Sequence, residues 1–227
     1  MNRLMRLFST SIGRKLVMAV SGLILFGWLV GHLLGNMALY QGPAGLNSYA
    51  AWLQGHPALW IMRIFMLCVF GIHVYVALAL WMENRDARST GYATRTFQTS
   101  WASRYMMITG SLVVVFLVYH IMHFTLGIVA PQYYGGIDSA GHHDVYAMVV
   151  RSFQNPLLAG SYIIAILLIG THLIHASRSM FQTVGINHES YNGSIRLVSQ
   201  IVVALFVIGN CSMPILVLAG VVGLDAK

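Results

Sequence analysis

Five separate apolar runs, each long enough to cross a lipid bilayer, constrain this chain more than any other feature. A crossing helix needs about 20 residues, and segments 16–39, 58–82, 106–130, 156–181 and 196–222 qualify. In lipid no water satisfies backbone N–H and C=O groups, so each run is expected to fold as a helix. A barrel would need alternating apolar and polar residues, which the sequence lacks. The first run exceeds the apolar region of a signal peptide, and no small-residue cleavage pattern follows it, so it reads as a retained helix. With 57% apolar residues and only six acidic ones, the 227-residue chain cannot solvate the surface of a water-soluble domain. The expected fold is therefore all-α and integral to the membrane: one unit over 1–227, a five-helix bundle.

Charge sets the expected orientation. If the helices alternate, Arg3, Arg6, Arg14, Lys15, Arg85, Arg88, Arg95, Arg104, Arg178 and Arg196 fall on one side. Basic loops stay inside, so the N-terminus is expected in the cytoplasm and the C-terminus on the outer side. The net charge of +7 thus expresses topology, and without a basic stripe interleaved with aromatics no nucleic-acid partner is expected. Arg63, Arg151 and Lys227 lie on the opposite side. Arg63 and Arg151 can snorkel to the interface or hold an anionic group of a cofactor. Cys68 and Cys211, far apart in apolar runs, read as packing residues.

Ionisable side chains inside a membrane are costly and point to function. Six of the ten histidines lie in the apolar runs: His32, His73, His120, His123, His172 and His175. One buried histidine is usually a hydrogen-bonded core residue, but here four helices each supply at least one. Imidazoles on opposite faces of a haem fill both axial positions of its iron, and helices can present them across a bundle interior. Depth sorts them. His32 lies about five residues past the middle of its run, roughly 7 Å toward the outer side, and His120 and His123 lie on the same side. His73, His172 and His175 lie in the cytoplasmic half. Two levels result, His32 with His120 or His123 and His73 with His172 or His175, as two stacked b-type haems would require.

Glycines accompany these positions: Gly27, Gly31 and Gly35 near His32, Gly71 near His73, Gly170 near His172. They could admit a flat macrocycle or simply pack helices closely. His142, His143 and Asp144 read as a solvated helix start rather than a metal site. His56 and His188 are loop residues with no evident partner.

The ordered motifs SIGRK, GHLLGN, LNSYAAWL, GIHVYVAL, TGSLVVVFLVYH and THLIHASRSMFQTVG resemble the dihaem cytochrome b subunit of succinate dehydrogenases and fumarate reductases over nearly the whole chain. The resemblance implies two haems b in a membrane anchor for a flavoprotein subunit and an iron–sulfur subunit, exchanging electrons with a membrane quinone. It selects His120, ten residues after Gly110, and His172, thirteen before Gly185. His32 and His120 would then bind iron at the outer haem, His73 and His172 at the inner one. His123 and His175 are left for propionate, water or quinone contacts, or packing. Some fumarate reductases of this family carry a glutamate in the outer loop and another before the fourth-helix ligand. Residues 40–57 here hold no carboxylate, and Gly170 and Thr171 precede His172, which favours succinate oxidation. The quinone implied is menaquinone, and the location a prokaryotic cytoplasmic membrane. Succinate oxidation itself would lie in the partners, docked on the basic rim formed by 1–15, 83–105 and 182–195. Quinone contacts could come from Gln41, Asn47, Gln54 and His56 on the outer side or Ser11, Ser21, Arg104 and Arg178 on the inner. Competing readings are a haem anchor of a hydrogenase, formate dehydrogenase or nitrate reductase, and a histidine-lined metal or proton transporter.

Overall fold

The computed structural model describes residues 8–86 and 105–224, and within them the chain is almost wholly helical. Helix α1 (Ser11–Asn36) begins at Thr10, whose hydroxyl accepts the Gly13 N–H at 3.1 Å and so satisfies one free donor of the first turn. A short 3-10 turn, Met37–Gln41, leads directly into α2 (Gly42–Gly55), with Pro43 in its first turn. Then follow α3 (Ala58–Asp86) and α4 (Met106–His120). Helix α4 continues as a π-helical turn, Ile121–Thr125, closed by the Leu126 N–H to the Ile121 carbonyl at 2.9 Å. A loop leads to α5 (Val145–Gln154), and α6 (Pro156–Thr183) and α7 (Glu189–Leu218) complete the chain.

Five helical stretches are long and apolar enough to cross a membrane: Ser11–Gly55, Ala58–Asp86, Met106–Thr125, Pro156–Thr183 and Glu189–Leu218. Several limits differ from those read off the apolar runs. Residues 42–55, expected as a connection, form α2. The third span ends at Thr125 rather than 130, and the fifth starts at Glu189 rather than 196. Large apolar side chains such as Leu67, Val115, Ile164 and Ile208 stay exposed on the helix flanks, the surface a bilayer would cover. Arg3, Arg6, Arg88, Arg95, Arg104 and Lys227 lie outside the described residues.

Helix α6 is the hub, packing against α7, α4 and α1, while α3 packs on α1. Gly170 brings α7 close, since a Cβ there would stand 2.6 Å from Val207 Cγ2. Leu33, Tyr162, Ile169, Phe206 and Met213 join one buried cluster. One end of the molecule is closed by α2 and α5. There Asn47, 2% exposed, donates to Asp144 Oδ1 at 2.9 Å and accepts the Tyr146 N–H at 2.9 Å. Asp144 also caps α5 through the Ala147 N–H. The Tyr146 hydroxyl then ties α5 to the Gly223 carbonyl at 2.9 Å. This is called the capped end below, and the other the open end.

Candidate functional site

Of the six histidines in the apolar runs, four, one from each of four helices, lie at two levels of the molecule. Near the capped end the rings of His32 on α1 and His120 on α4 stand 5.8 Å apart, their planes at 89°. Toward the open end, His73 on α3 faces Ser21 near the start of α1, and His172 on α6 faces Thr109 near the start of α4. Among the described residues no group of three or more histidine, cysteine or acidic side chains converges.

Each histidine has a distinct set of partners. His73 Nδ1 lies 2.9 Å from Ser21 Oγ on α1, the helix against which α3 packs. His172 Nδ1 lies 3.3 Å from Thr109 Oγ1 on α4, which packs on α6. Both hydroxyls are themselves buried. His32 Nε2 lies 3.2 Å from the Asn36 side-chain amide, one turn along α1. His120 hydrogen-bonds to no described residue, and its Nδ1 is buried. Its ring sits among Phe116, Phe124 and Tyr162 at 5.9, 5.7 and 6.0 Å between centroids.

His123 is different. It is 2% exposed, its Nδ1 lies 3.0 Å from the Tyr162 hydroxyl, and its Nε2 lies 3.1 Å from Ser152 Oγ. A neutral imidazole has one donor and one acceptor, and both are engaged. The ring stacks on Phe124 at 4.1 Å, so His123 clamps α4 to α5 and α6. Three residues apart on a regular helix, His120 and His123 would point within about 60° of each other; the π-helical turn after His120 widens that angle. His175 hydrogen-bonds to no described residue and is half-buried.

A haem between each pair is consistent with this chemistry. Neither ring nitrogen of His120 has a hydrogen-bond partner among the described residues, which leaves its Nε2 available to iron. Gly27, Gly31 and Gly71 have nothing within 4 Å of where a Cβ would stand. The other glycines act differently from the sequence reading. Gly35 seats the Tyr49 hydroxyl of α2, and Gly170 seats Val207, both as packing contacts. The glycines that border histidines are Gly22 and Gly110, where a Cβ would stand 3.4 Å from His73 Cε1 and 3.5 Å from His172 Cε1. In sequence, their only signal is a hydroxyl residue immediately before each.

The remaining candidates separate clearly. Arg63 is exposed, its guanidinium 4.9 Å from the Trp60 ring centre, a cation–aromatic pair suited to an interface. Arg151 is exposed on α5, beside a shallow groove of about 360 Å³ lined also by Tyr133, Gln154 and Asn155. Asn47 is committed to Asp144 and Tyr146, and Ser21 to His73, so neither is free for quinone. Gln41, Gln54, Ser11 and Arg178 are exposed. His56 and His188 start helices, each Nδ1 accepting a backbone N–H at 3.2 Å, from Ala58 and Ser190.

The acidic loop group is structural too. Asp138 accepts the N–H of His142 at 2.8 Å and of Ala140 at 2.9 Å. The His142 N–H above all holds its carboxyl below the usual range. On the basic side, Arg14 of the SIGRK motif lies 3.5 Å from Glu83, tying the start of α1 to the end of α3. Compared with protein-family models, curated proteins and solved structures, the chain gives no match.

Proposed function

We propose that the chain is the dihaem cytochrome b anchor of a succinate:quinone oxidoreductase in a prokaryotic cytoplasmic membrane. The observation that carries the reading is that four helices supply histidines at two levels: His32 beside His120, and, nearer the starts of α1 and α4, His73 beside Ser21 and His172 beside Thr109. In this reading His32 and His120 hold the haem near the capped end, and His73 and His172 the one toward the open end. When bound, haem b supplies one-electron chemistry at a potential set by its ligands and their partners. The chain's own residues present the imidazoles from different helices, and Phe116, Phe124 and Tyr162 pack around the His120 ring.

No residue set for succinate oxidation occurs among the described residues, so that reaction belongs to the flavoprotein partner in this proposal. The iron–sulfur subunit would dock at the open end, where Arg14, Lys15, Arg85, Arg178 and Arg196 gather. Electrons would reach the His73–His172 level first, then the His32–His120 level, and leave to quinone, taken here as menaquinone. The resemblance and the absence of carboxylates in residues 40–57 favour the succinate-oxidising direction. Among the described residues no three histidine, cysteine or acidic side chains converge, which favours haem ligation over a transition-metal transport site.

Purification of the native complex tests the reading. Pyridine haemochrome should give two haems per chain, together with a flavin-bearing partner. His32→Ala or His120→Ala should remove one haem, and His73→Ala or His172→Ala the other. A haem-free native protein, or a molybdenum or nickel partner, would refute it.

A further inference from the structure

Each of the two hydroxyls facing the open-end histidines has a single hydrogen, and its surroundings decide where that hydrogen goes. Ser21 Oγ lies 2.7 Å from the Val17 carbonyl and 3.2 Å from that of Met18. Thr109 Oγ1 lies 3.0 Å from the Met106 carbonyl. Within a helix in apolar surroundings, such back-bonding is the usual resting place of a serine or threonine hydrogen. Once the hydrogen is given to the carbonyl, the oxygen has only lone pairs left to offer. What faces those lone pairs is the Nδ1 of His73 at 2.9 Å and of His172 at 3.3 Å. The hydrogen in each of these contacts must then come from the imidazole.

The geometry points to Ser21 and Thr109 as positioning residues that hold His73 and His172 in the Nδ1–H tautomer, leaving each Nε2 lone pair available to iron. The proposal rests on the haem reading above and adds to it the device that orients the ligands. The next residue is a glycine bordering the ring in both places. A Cβ at Gly22 or Gly110 would stand in ordinary contact with the Cε1 edge of the ring, at 3.4 and 3.5 Å. The same two-residue unit, hydroxyl then glycine, therefore serves two different helix pairs, α1 with α3 and α4 with α6.

The capped-end pair lacks it. His120 Nδ1 has no hydrogen-bond partner among the described residues, and His32 is engaged only at Nε2, by Asn36. An Nδ1–H donated to an oxygen makes the imidazole a stronger electron donor and fixes its ring orientation. The unit thus favours the ferric state at the open-end level only, and sets the two levels apart.

Redox titration and low-temperature EPR of the haem-loaded complex test this in Ser21→Ala and Thr109→Val, the second keeping the shape of threonine. Each should raise the potential of the open-end haem and spare the other. The expected ferrous-to-ferric change at fixed potential is up to about tenfold, which is about 59 mV for one electron. Its ferric EPR signal should move as the ring is released. Ser21→Thr and Thr109→Ser keep the hydroxyl and should keep the wild-type potential. Unchanged potential and EPR in both hydroxyl-free variants would overturn the inference. A wild-type protein without haem would refute the function instead. In that event, ¹⁵N spectra of histidine-labelled protein decide the tautomer alone: Nδ1–H at His73, lost in Ser21→Ala, supports it, and Nε2–H overturns it.

Discussion

Replacing His123 with alanine separates the two histidines of α4 by their physical roles. The substitution removes two hydrogen bonds, to Tyr162 at 3.0 Å and Ser152 at 3.1 Å. It strands hydroxyls on residues that are 4% and 0% exposed. Hydrogen bonds between membrane helices contribute about 0.6 kcal/mol on average and up to about 1.7 kcal/mol. Two of them give a range of about 1 to 3 kcal/mol. The upper half is expected, because buried hydroxyls left unpaired add a desolvation cost and the stack on Phe124 is lost. At about 1.36 kcal/mol per tenfold, 3 kcal/mol is about 150-fold in the unfolding equilibrium. Reversible denaturation in detergent measures that change, and pyridine haemochrome on the same preparation should still find two haems per chain. His120→Ala should do the reverse, losing a haem at smaller cost to the fold. Loss of a haem in His123→Ala together with an unfolding equilibrium within about threefold of wild type would refute the assignment.

Asn36→Ala should leave the capped-end haem bound, since it only frees the His32 Nε2 that the amide engages; haem quantitation checks this. Gly170→Ala should push Val207 off α6 and destabilise by about 1–3 kcal/mol, whereas Gly160→Ala, with open space around its Cβ, should melt close to wild type. The Asp138 carboxyl is held below its usual range in the folded loop, chiefly by the His142 N–H. The order it confers is therefore complete above the ordinary carboxylate range and lost as pH falls through the depressed value. Amide shifts of residues 140 and 142 should follow that titration, and Asp138→Asn should abolish it.

The spans were legible because lipid forces every long apolar run into a helix, and the depth argument anticipated two levels, His32 with His120 or His123 and His73 with His172 or His175; a ring contact joins His32 to His120. What composition hid is what short polar segments do. Residues 42–55 carry Gly, Pro and Tyr, which read as a connection, yet Pro43 starts a helix and Asn47 anchors it to α5. The polar stretch 189–195 reads as loop, but His188 caps it into α7. Periodicity could not separate His120 from His123, because the π-helical turn between them leaves no mark in the hydropathy pattern. Ser21 and Thr109 were invisible as partners of histidines, because a lone hydroxyl in a helix looks the same whether it faces its own backbone or a neighbour.

The bonds from α1 to α3 and from α4 to α6 also bear on how the protein is made. The first pair, joined by Ser21 to His73 and Arg14 to Glu83, is one continuous stretch, 11–86. The second, joined by Thr109 to His172 and His123 to Tyr162, is another, 106–183. Each half therefore holds side-chain bonds between its own helices. Each also contributes one histidine to each level, so under the haem reading proposed above neither half alone would own a complete ligand pair. Maturation would then have a natural order, in which two hairpins close separately and cofactor acquisition requires both.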